Sequence, residues 1–311
     1  MINQKVFLAG HNGLVGSSIL KKLKEKGYKK IITKNKNQLN LLEYNKVSNF
    51  LKKTKPDYII IAAAKVGGIY SNYKYQAEFI QQNLSIQSNI IHSAYLAGVK
   101  NLIFLGSSCV YPKFCKQPIK EDYLLSGKLE NTNEAYAVAK IAGIKMCESY
   151  NFQYKTNYKC LMPTNTFGPN DNYDKLNSHF FPALIQKVHD LKISKKKDLV
   201  LWGNGKAKRE MIYVDDVADA CVYFMNKKIK HTIINIGTGK DFTITEYAKK
   251  ILNVILPDKK IRIKYDLSKP NGTPRKVLDV SLAKKYGWKP KVLLKDGIFM
   301  TYKNFLSSKK K

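Results

Sequence analysis

Residues 5–23 run KVFLAGHNGLVGSSILKKL. The stretch from Lys5 to Ala9 is short and apolar, it breaks at Gly10, and from Leu14 to Leu23 apolar residues recur at helical spacing; this is strand, turn and helix. The turn Gly10-His11-Asn12-Gly13-Leu14-Val15-Gly16 has the spacing G-x-x-G-x-x-G. Glycines there let backbone approach a pyrophosphate and let the helix pack close to the strand, while the helix N-terminus offers amide donors and a partial positive charge. A dinucleotide groove at the first turn is the expectation.

The alternation continues outward. Ile31–Thr33, Tyr58–Ala64, Leu102–Leu105 and Lys159–Met162 are strand-like, and 44–54, about 78–96 and 134–150 are helix-like. Strands this apolar, alternating with helices, make an α/β fold with a doubly wound parallel sheet covered on both faces. After Gly168 the texture changes to Pro, Asn, Asp and Ser with aromatics. Leu199–Trp202, Met211–Val214 and Ile233–Ile236 then interleave as further strands. The expected division is a dinucleotide-binding domain of 1–168 with returning segments at about 207–240, and a smaller C-terminal α/β substrate domain from 169–206 and 241–311.

Composition narrows the function. The chain has 311 residues and a formal net charge of +32, with 55 basic residues, of which only Arg209, Arg262 and Arg275 are arginines. Readers of bases and phosphates lean on the planar arginine fork, so lysine spread over the whole chain is a compositional bias and no nucleic-acid partner is expected. No stretch approaches the roughly 20 apolar residues of a membrane span, and the first residues lack a signal peptide's apolar core. A cytoplasmic protein without a membrane partner is expected. Five cysteines without a C-x-x-C pair make disulfides and zinc poor readings and leave free thiols. Among these, Cys147 and Cys221, with His189 and His231, are assigned to structure.

The end of the second strand, Thr33-Lys34-Asn35-Lys36-Asn37, lacks the carboxylate that would bond a ribose 2′-hydroxyl. Two solvated lysines are the plain alternative. The reading chosen is NADP, with Lys36 and Asn12 nearest the 2′-phosphate.

Residues 106–114, GSSCVYPKF, follow the strand Leu102–Leu105 at the carboxyl end of the sheet, where ligands bind in such folds, and Pro112 is taken to end that strand. Downstream, Tyr136 and Lys140 stand four apart on a helix and hence on one face. An ammonium beside the phenol would favour the phenolate and let the tyrosine exchange a proton near neutrality. The order of glycine turn, Ser107, Tyr136 and Lys140 resembles the short-chain dehydrogenase/reductase superfamily, in its extended, nucleotide-sugar-modifying branch. Ala62-Ala63-Ala64-Lys65-Val66-Gly67-Gly68-Ile69, Gly106 through Pro112, Pro163-Thr164-Asn165 with Phe167-Gly168-Pro169, Asn177-Ser178-His179, and Ser268-Lys269-Pro270 with Gly272-Thr273-Pro274-Arg275-Lys276 are similar to the GDP-L-fucose synthase family. These matches span residues 5 to about 288.

The resemblance implies a Rossmann fold, NADP(H) as cofactor, GDP-4-keto-6-deoxy-D-mannose as substrate, 3,5-epimerisation followed by reduction at C4, and a homodimer formed through 75–96 and 134–150. It implies Ser107, Tyr136 and Lys140 as the reductase set, and Cys109 and His179 as the acid/base pair of epimerisation. Cofactor contacts would come from Gly10 to Gly16, Lys36, Asn40, Leu41, Leu105, Gly106, Ser107, Ser108, Tyr136, Lys140, Pro163, Thr164, Asn165, Thr166 and His179. Lys187, Trp202, Arg209 and Asn271 would hold the nucleotide part of the substrate. The chain departs from the family pattern at Asn12 and Lys36, where arginines are common, and at Asn271, where aspartate is usual. The competing readings are another nucleotide-sugar 4-epimerase or 4,6-dehydratase, and a catalytically silent protein that holds NADP or RNA.

Overall fold

The computed structural model describes residues 3–174, 178–269 and 271–309. Asn177 and Pro270 of the quoted motifs lie outside them. The first half runs β1 (Lys5–Ala9), α1 (Leu14–Glu25), β2 (Lys30–Thr33), α2 (Tyr44–Thr54), β3 (Tyr58–Ile61), α3 (Ile69–Lys74), α4 (Gln76–Leu96), β4 (Asn101–Leu105), α5 (Glu134–Tyr154) and β5 (Asn157–Pro163). It continues with β6 (Asn165–Phe167), α6 (Phe180–Ile193), β7 (Asp198–Trp202), β8 (Lys208–Tyr213), α7 (Val214–Asn226) and β9 (Ile233–Ile236). The chain closes with β10 (Asp241–Thr243), α8 (Ile244–Ile255), β11 (Arg262–Asp266), β12 (Arg275–Lys276), α9 (Ser281–Lys285) and α10 (Leu294–Ser308).

Six parallel strands form the main sheet in the order β2-β1-β3-β4-β5-β9. Each interior strand is apolar on both faces because each face carries a helical layer. One layer packs Leu51, Ile90, Ile91, Ile144 and Cys147 onto Phe7, Ile59, Phe104 and Cys160. The other packs Ile19, Leu23, Val217 and Phe224 onto Val6, Leu8, Ile60, Ile103 and Ile234. A third core gathers Phe167, Phe181, Ile185, Leu199, Tyr247, Ile251, Ile298 and Phe305 from α6, α8, α10 and the short strands between them. Among the described residues, no helix is long and apolar enough to cross a membrane.

Several sequence expectations move. β3 stops at Ile61 instead of Ala64, because Ala62 to Ala64 leave the sheet to pass beside Gly10, where a Cβ would lie 2.5 Å from the Ala63 amide nitrogen. α5 runs four residues past Tyr150, to Tyr154, and ends at Lys155 in the left-handed region. Pro112 does not terminate β4; the strand ends at Leu105, and the chain turns through a 3-10 turn at Ser108–Val110 before the proline is reached. Cys147 and Cys221 are fully buried, and His189 is buried with Nδ1 3.0 Å from the Tyr302 hydroxyl. His231 is exposed in a loop, where Nδ1 meets the Tyr286 hydroxyl at 2.6 Å.

Candidate active site

The strand order reverses between β1 and β3, which opens a crevice at their carboxyl ends. The glycine turn lies there. Gly10 has φ +90°, and a Cβ on Gly16 would be 1.9 Å from the Gly10 carbonyl oxygen, so α1 can meet β1 this closely only without a side chain. Leu14, Val15 and Gly16 form the first turn of α1, which carries no acidic residue, and their amides have no carbonyl one turn earlier to bond. The donor set and the bare backbone fit a diphosphate. His11 flanks the turn and Asn12 is exposed beside it.

Beyond β2, Lys36, Asn37, Gln38, Asn40, Glu43 and Lys46 line a polar hollow. Lys46 is paired with Glu43 at 2.7 Å, and Asn40 Nδ2 donates to the same carboxylate at 2.9 Å. Lys36 is exposed at this hollow, and Leu41 packs inward against the core.

At the end of β4, Gly106 packs against Met162, whose Sδ would lie 2.4 Å from an added Cβ. Ser107 caps the following turn by accepting from the Cys109 amide at 3.2 Å, and Ser108 is buried beneath it. α5 brings the Tyr136 phenol within reach of the Ser107 hydroxyl. Lys140 is buried one turn later; Nζ donates to the Leu105 carbonyl at 2.8 Å and lies 4.7 Å from the Phe104 ring centre and 5.8 Å from that of Tyr136. Burial pulls the Lys140 ammonium down to about 8, against a smaller opposing influence of Cys160. Burial also pushes the Tyr136 phenol well above its ordinary range, with Cys109 adding to the rise and the Ser107 hydroxyl opposing it. The expectation of a phenol brought near neutrality by Lys140 is therefore corrected. Desolvation dominates, and Tyr136 rests in its neutral, proton-donating form.

Cys109 Sγ accepts from Asn133 Nδ2 at 3.3 Å and from Lys276 Nζ at 3.5 Å. His179, the residue before α6, is exposed to solvent on one side while protein packs around the rest of its ring. Its imidazole is lowered first by burial and then by Lys276. Lys276 thus contacts the thiol and its charge is felt by the histidine. Pro163 to Thr166 form the adjoining wall, where Asn165 Nδ2 and Thr164 Oγ1 both donate to the Glu210 carbonyl, at 3.0 and 3.3 Å, and Thr166 Oγ1 to the Thr164 carbonyl at 3.1 Å.

Lys276 reaches the site because its strand is clamped. β12 pairs with β8, which places Lys276 opposite Arg209. Next along, Leu278 N donates to the Glu210 carboxylate at 2.8 Å; this fully buried carboxylate also accepts from Thr238 N at 2.6 Å and Gly239 N at 2.7 Å. Arg209 Nη1 donates to the Thr273 carbonyl at 2.5 Å, and its guanidinium is lowered by burial, with Cys109 and Glu130 opposing.

Lys187 from α6, Trp202 at the end of β7 and Asn271 from the segment after β11 come together. The Trp202 indole is 53% exposed, as a stacking platform must be, and carries Lys187 Nζ at 5.7 Å and Lys269 Nζ at 5.9 Å from its ring centre. Asn271 Oδ1 accepts from the Asn204 amide at 2.8 Å.

Sequence reasoning missed three parts of this arrangement. Lys276 was visible only as a letter in a motif of a lysine-rich chain, Lys269 likewise, and Asn133 carried no signal beyond lying three residues before Tyr136.

A doubly wound sheet with a glycine-built first turn and a Ser/Tyr/Lys set in the crevice defines a dinucleotide-dependent short-chain enzyme. The chain belongs to the NAD dependent epimerase/dehydratase family, whose model matches residues 6–237, and within it to the GDP-L-fucose synthases. It is 48% identical to GDP-L-fucose synthase 1 of Arabidopsis thaliana, over 98% of this chain and 94% of that one. It is 46% identical to GDP-L-fucose synthase of Escherichia coli, over 99% and 98% of the two chains. The solved structure of a GDP-mannoheptose C4 reductase from Campylobacter jejuni with NADP bound superposes with a TM-score of 0.90 at 36% identity, covering 98% of this chain and 99% of that one.

Proposed function

We propose that this protein converts GDP-4-keto-6-deoxy-D-mannose to GDP-L-fucose by inverting C3 and C5 and then reducing the C4 ketone with NADPH. The observation that carries the reading is the convergence of two sets of groups in one cleft. Ser107, Tyr136 and Lys140 make one set, Cys109 and His179 the other, and Tyr136 and Cys109 are close enough for the thiol to influence the phenol.

The chemistry follows from the ketone. Protons on C3 and C5 are acidic because both carbons flank C4, and removing one leaves an enolate. Hydroxyls of Ser107 and neutral Tyr136 donate to that oxygen as charge develops. Inversion needs one group to take the proton and another to return one to the opposite face, roles that fall to Cys109 and His179. Lys276 supplies positive charge beside both.

The groove from Gly10 to Gly16, the wall from Pro163 to Thr166 and Lys36 at the hollow beyond β2 would hold NADPH. Bound there, the cofactor supplies the hydride that reduces C4. Tyr136 delivers the proton to the resulting alkoxide, and the Lys140 cation stabilises the phenolate left behind. The GDP moiety would stack its base on Trp202 near Asn271, with Arg209 and Lys187 toward the diphosphate.

The five cysteines are unpaired, which suits a reducing cytoplasm. Exposed Tyr75 just before α4, Leu96 at its end, and Val138 and Phe152 on α5 would be covered in a homodimer through these helices, and light scattering after size exclusion tests that pairing.

Turnover in heavy water, followed by NMR, tests the function. Stoichiometric NADPH oxidation with deuterium at C3 and C5 of the product is expected. Oxidation without deuterium would leave a simple ketoreductase, and absence of turnover would refute the reading.

A further inference from the structure

We propose that Asn133 is a two-sided contact of the reaction centre: its amide nitrogen positions Cys109, and its carbonyl oxygen accepts a hydrogen bond from a hydroxyl of the bound hexose. The inference rests on the reading of Cys109 as an acid/base group for the sugar.

Two independent observations meet at this side chain. Asn133 Nδ2 donates to Cys109 Sγ at 3.3 Å. Oδ1 is buried and, among the described residues, has no partner. Buried polar atoms are nearly always paired, so an acceptor left open beside a reactive thiol marks a place for a donor from outside the chain. The Cys109 thiol lies at this point, and a hexose brings hydroxyls on the carbons next to the ketone. One of these is the chemical class that Oδ1 accepts.

The side chain is also free of the duty its position suggests. Asn133 is the N-cap residue of α5, yet its side chain makes no capping bond to the helix. Its backbone is fixed instead, through Asn133 N to the Glu130 carbonyl at 3.1 Å. Glu130 is tethered in turn by Lys113 at 3.1 Å and by Thr273 Oγ1 at 3.1 Å. The carboxamide is therefore held against the Cys109 thiol by a tethered backbone, three residues before Tyr136.

Asn133→Ala removes both interactions without removing a cap, and Asn133→Asp keeps the acceptor while removing the donor. Iodoacetamide labelling of Cys109, read by peptide mass spectrometry, reports the donor side independently of turnover. Labelling at neutral pH is expected to slow about tenfold in both variants and to recover at higher pH, because a thiolate loses its hydrogen-bond donor. KM for the sugar nucleotide is expected to rise about tenfold in Asn133→Ala and less in Asn133→Asp. NADPH titration should match the wild type in both. Identical labelling profiles in all three proteins would overturn the donor role, and an unchanged KM in Asn133→Ala would overturn the acceptor role. A fault in the underlying reading shows separately: Cys109→Ser would then retain wild-type deuterium incorporation.

Discussion

Lys276 Nζ lies 3.5 Å from Cys109 Sγ, across 167 residues of sequence. Burial, and behind it the charge of the same lysine, holds the His179 imidazole below its ordinary range. One cation therefore serves both members of the proposed epimerisation pair. Replacing it by methionine keeps the volume and removes the charge. The His179 titration, followed by NMR of the ring carbons, should then move upward because repulsion of the imidazolium is gone. An unmoved titration would separate Lys276 from His179.

The division of labour predicts opposite phenotypes. Tyr136→Phe should lower NADPH oxidation by about a hundredfold or more, the usual scale for a lost proton donor, while C3 and C5 exchange, which keeps the Ser107 donor and the Cys109/His179 pair, should fall much less. Cys109→Ser and His179→Gln should instead slow that exchange. Equal loss of both steps in all three variants would defeat the assignment.

Lys140 sets an alkaline limit. With its ammonium pulled down to about 8, chiefly by burial, it loses its charge as pH rises through that value and not near the usual lysine range. The kcat/KM for NADPH should fall above about pH 8 as the phenolate loses its cation, since this parameter reports groups of the free enzyme. In Lys140→Met the activity should be low throughout and this limb absent.

Two glycines of the first turn should behave differently. A Cβ on Gly16 would lie 1.9 Å from the Gly10 carbonyl oxygen, so Gly16→Ala must displace α1 and should cost about 1–3 kcal/mol of stability along with cofactor binding. A Cβ on Gly13 would meet nothing closer than 3.7 Å, at a φ of −77° that alanine accepts. Gly13→Ala should keep the melting temperature within a few degrees yet weaken NADPH about tenfold or more, by crowding the backbone approach to the diphosphate. Parallel melting curves and fluorescence titrations distinguish the two.

Sequence alone determined the parallel sheet and the first turn, and offered a candidate catalytic set. Apolar runs such as Tyr58–Ile61 and the period of Leu14 to Leu23 are local signals, and the close approach of α1 to β1 is written in Gly10 and Gly16 themselves. Ser107, Tyr136 and Lys140 were legible as candidates because they follow a strand end or share one helix face, and Cys109 through the family resemblance. Tertiary structure decided the rest. That Lys276, among so many lysines, arrives at Cys109 depends on β12 pairing with β8 and on Glu210 gripping Leu278. That Tyr136 is neutral and Lys140 weakened depends on desolvation, which sums over everything packed around a group and belongs to no short stretch of chain. Asn133 and its open oxygen were invisible for the same reason: an unpaired atom is defined only once every possible partner has been put in place.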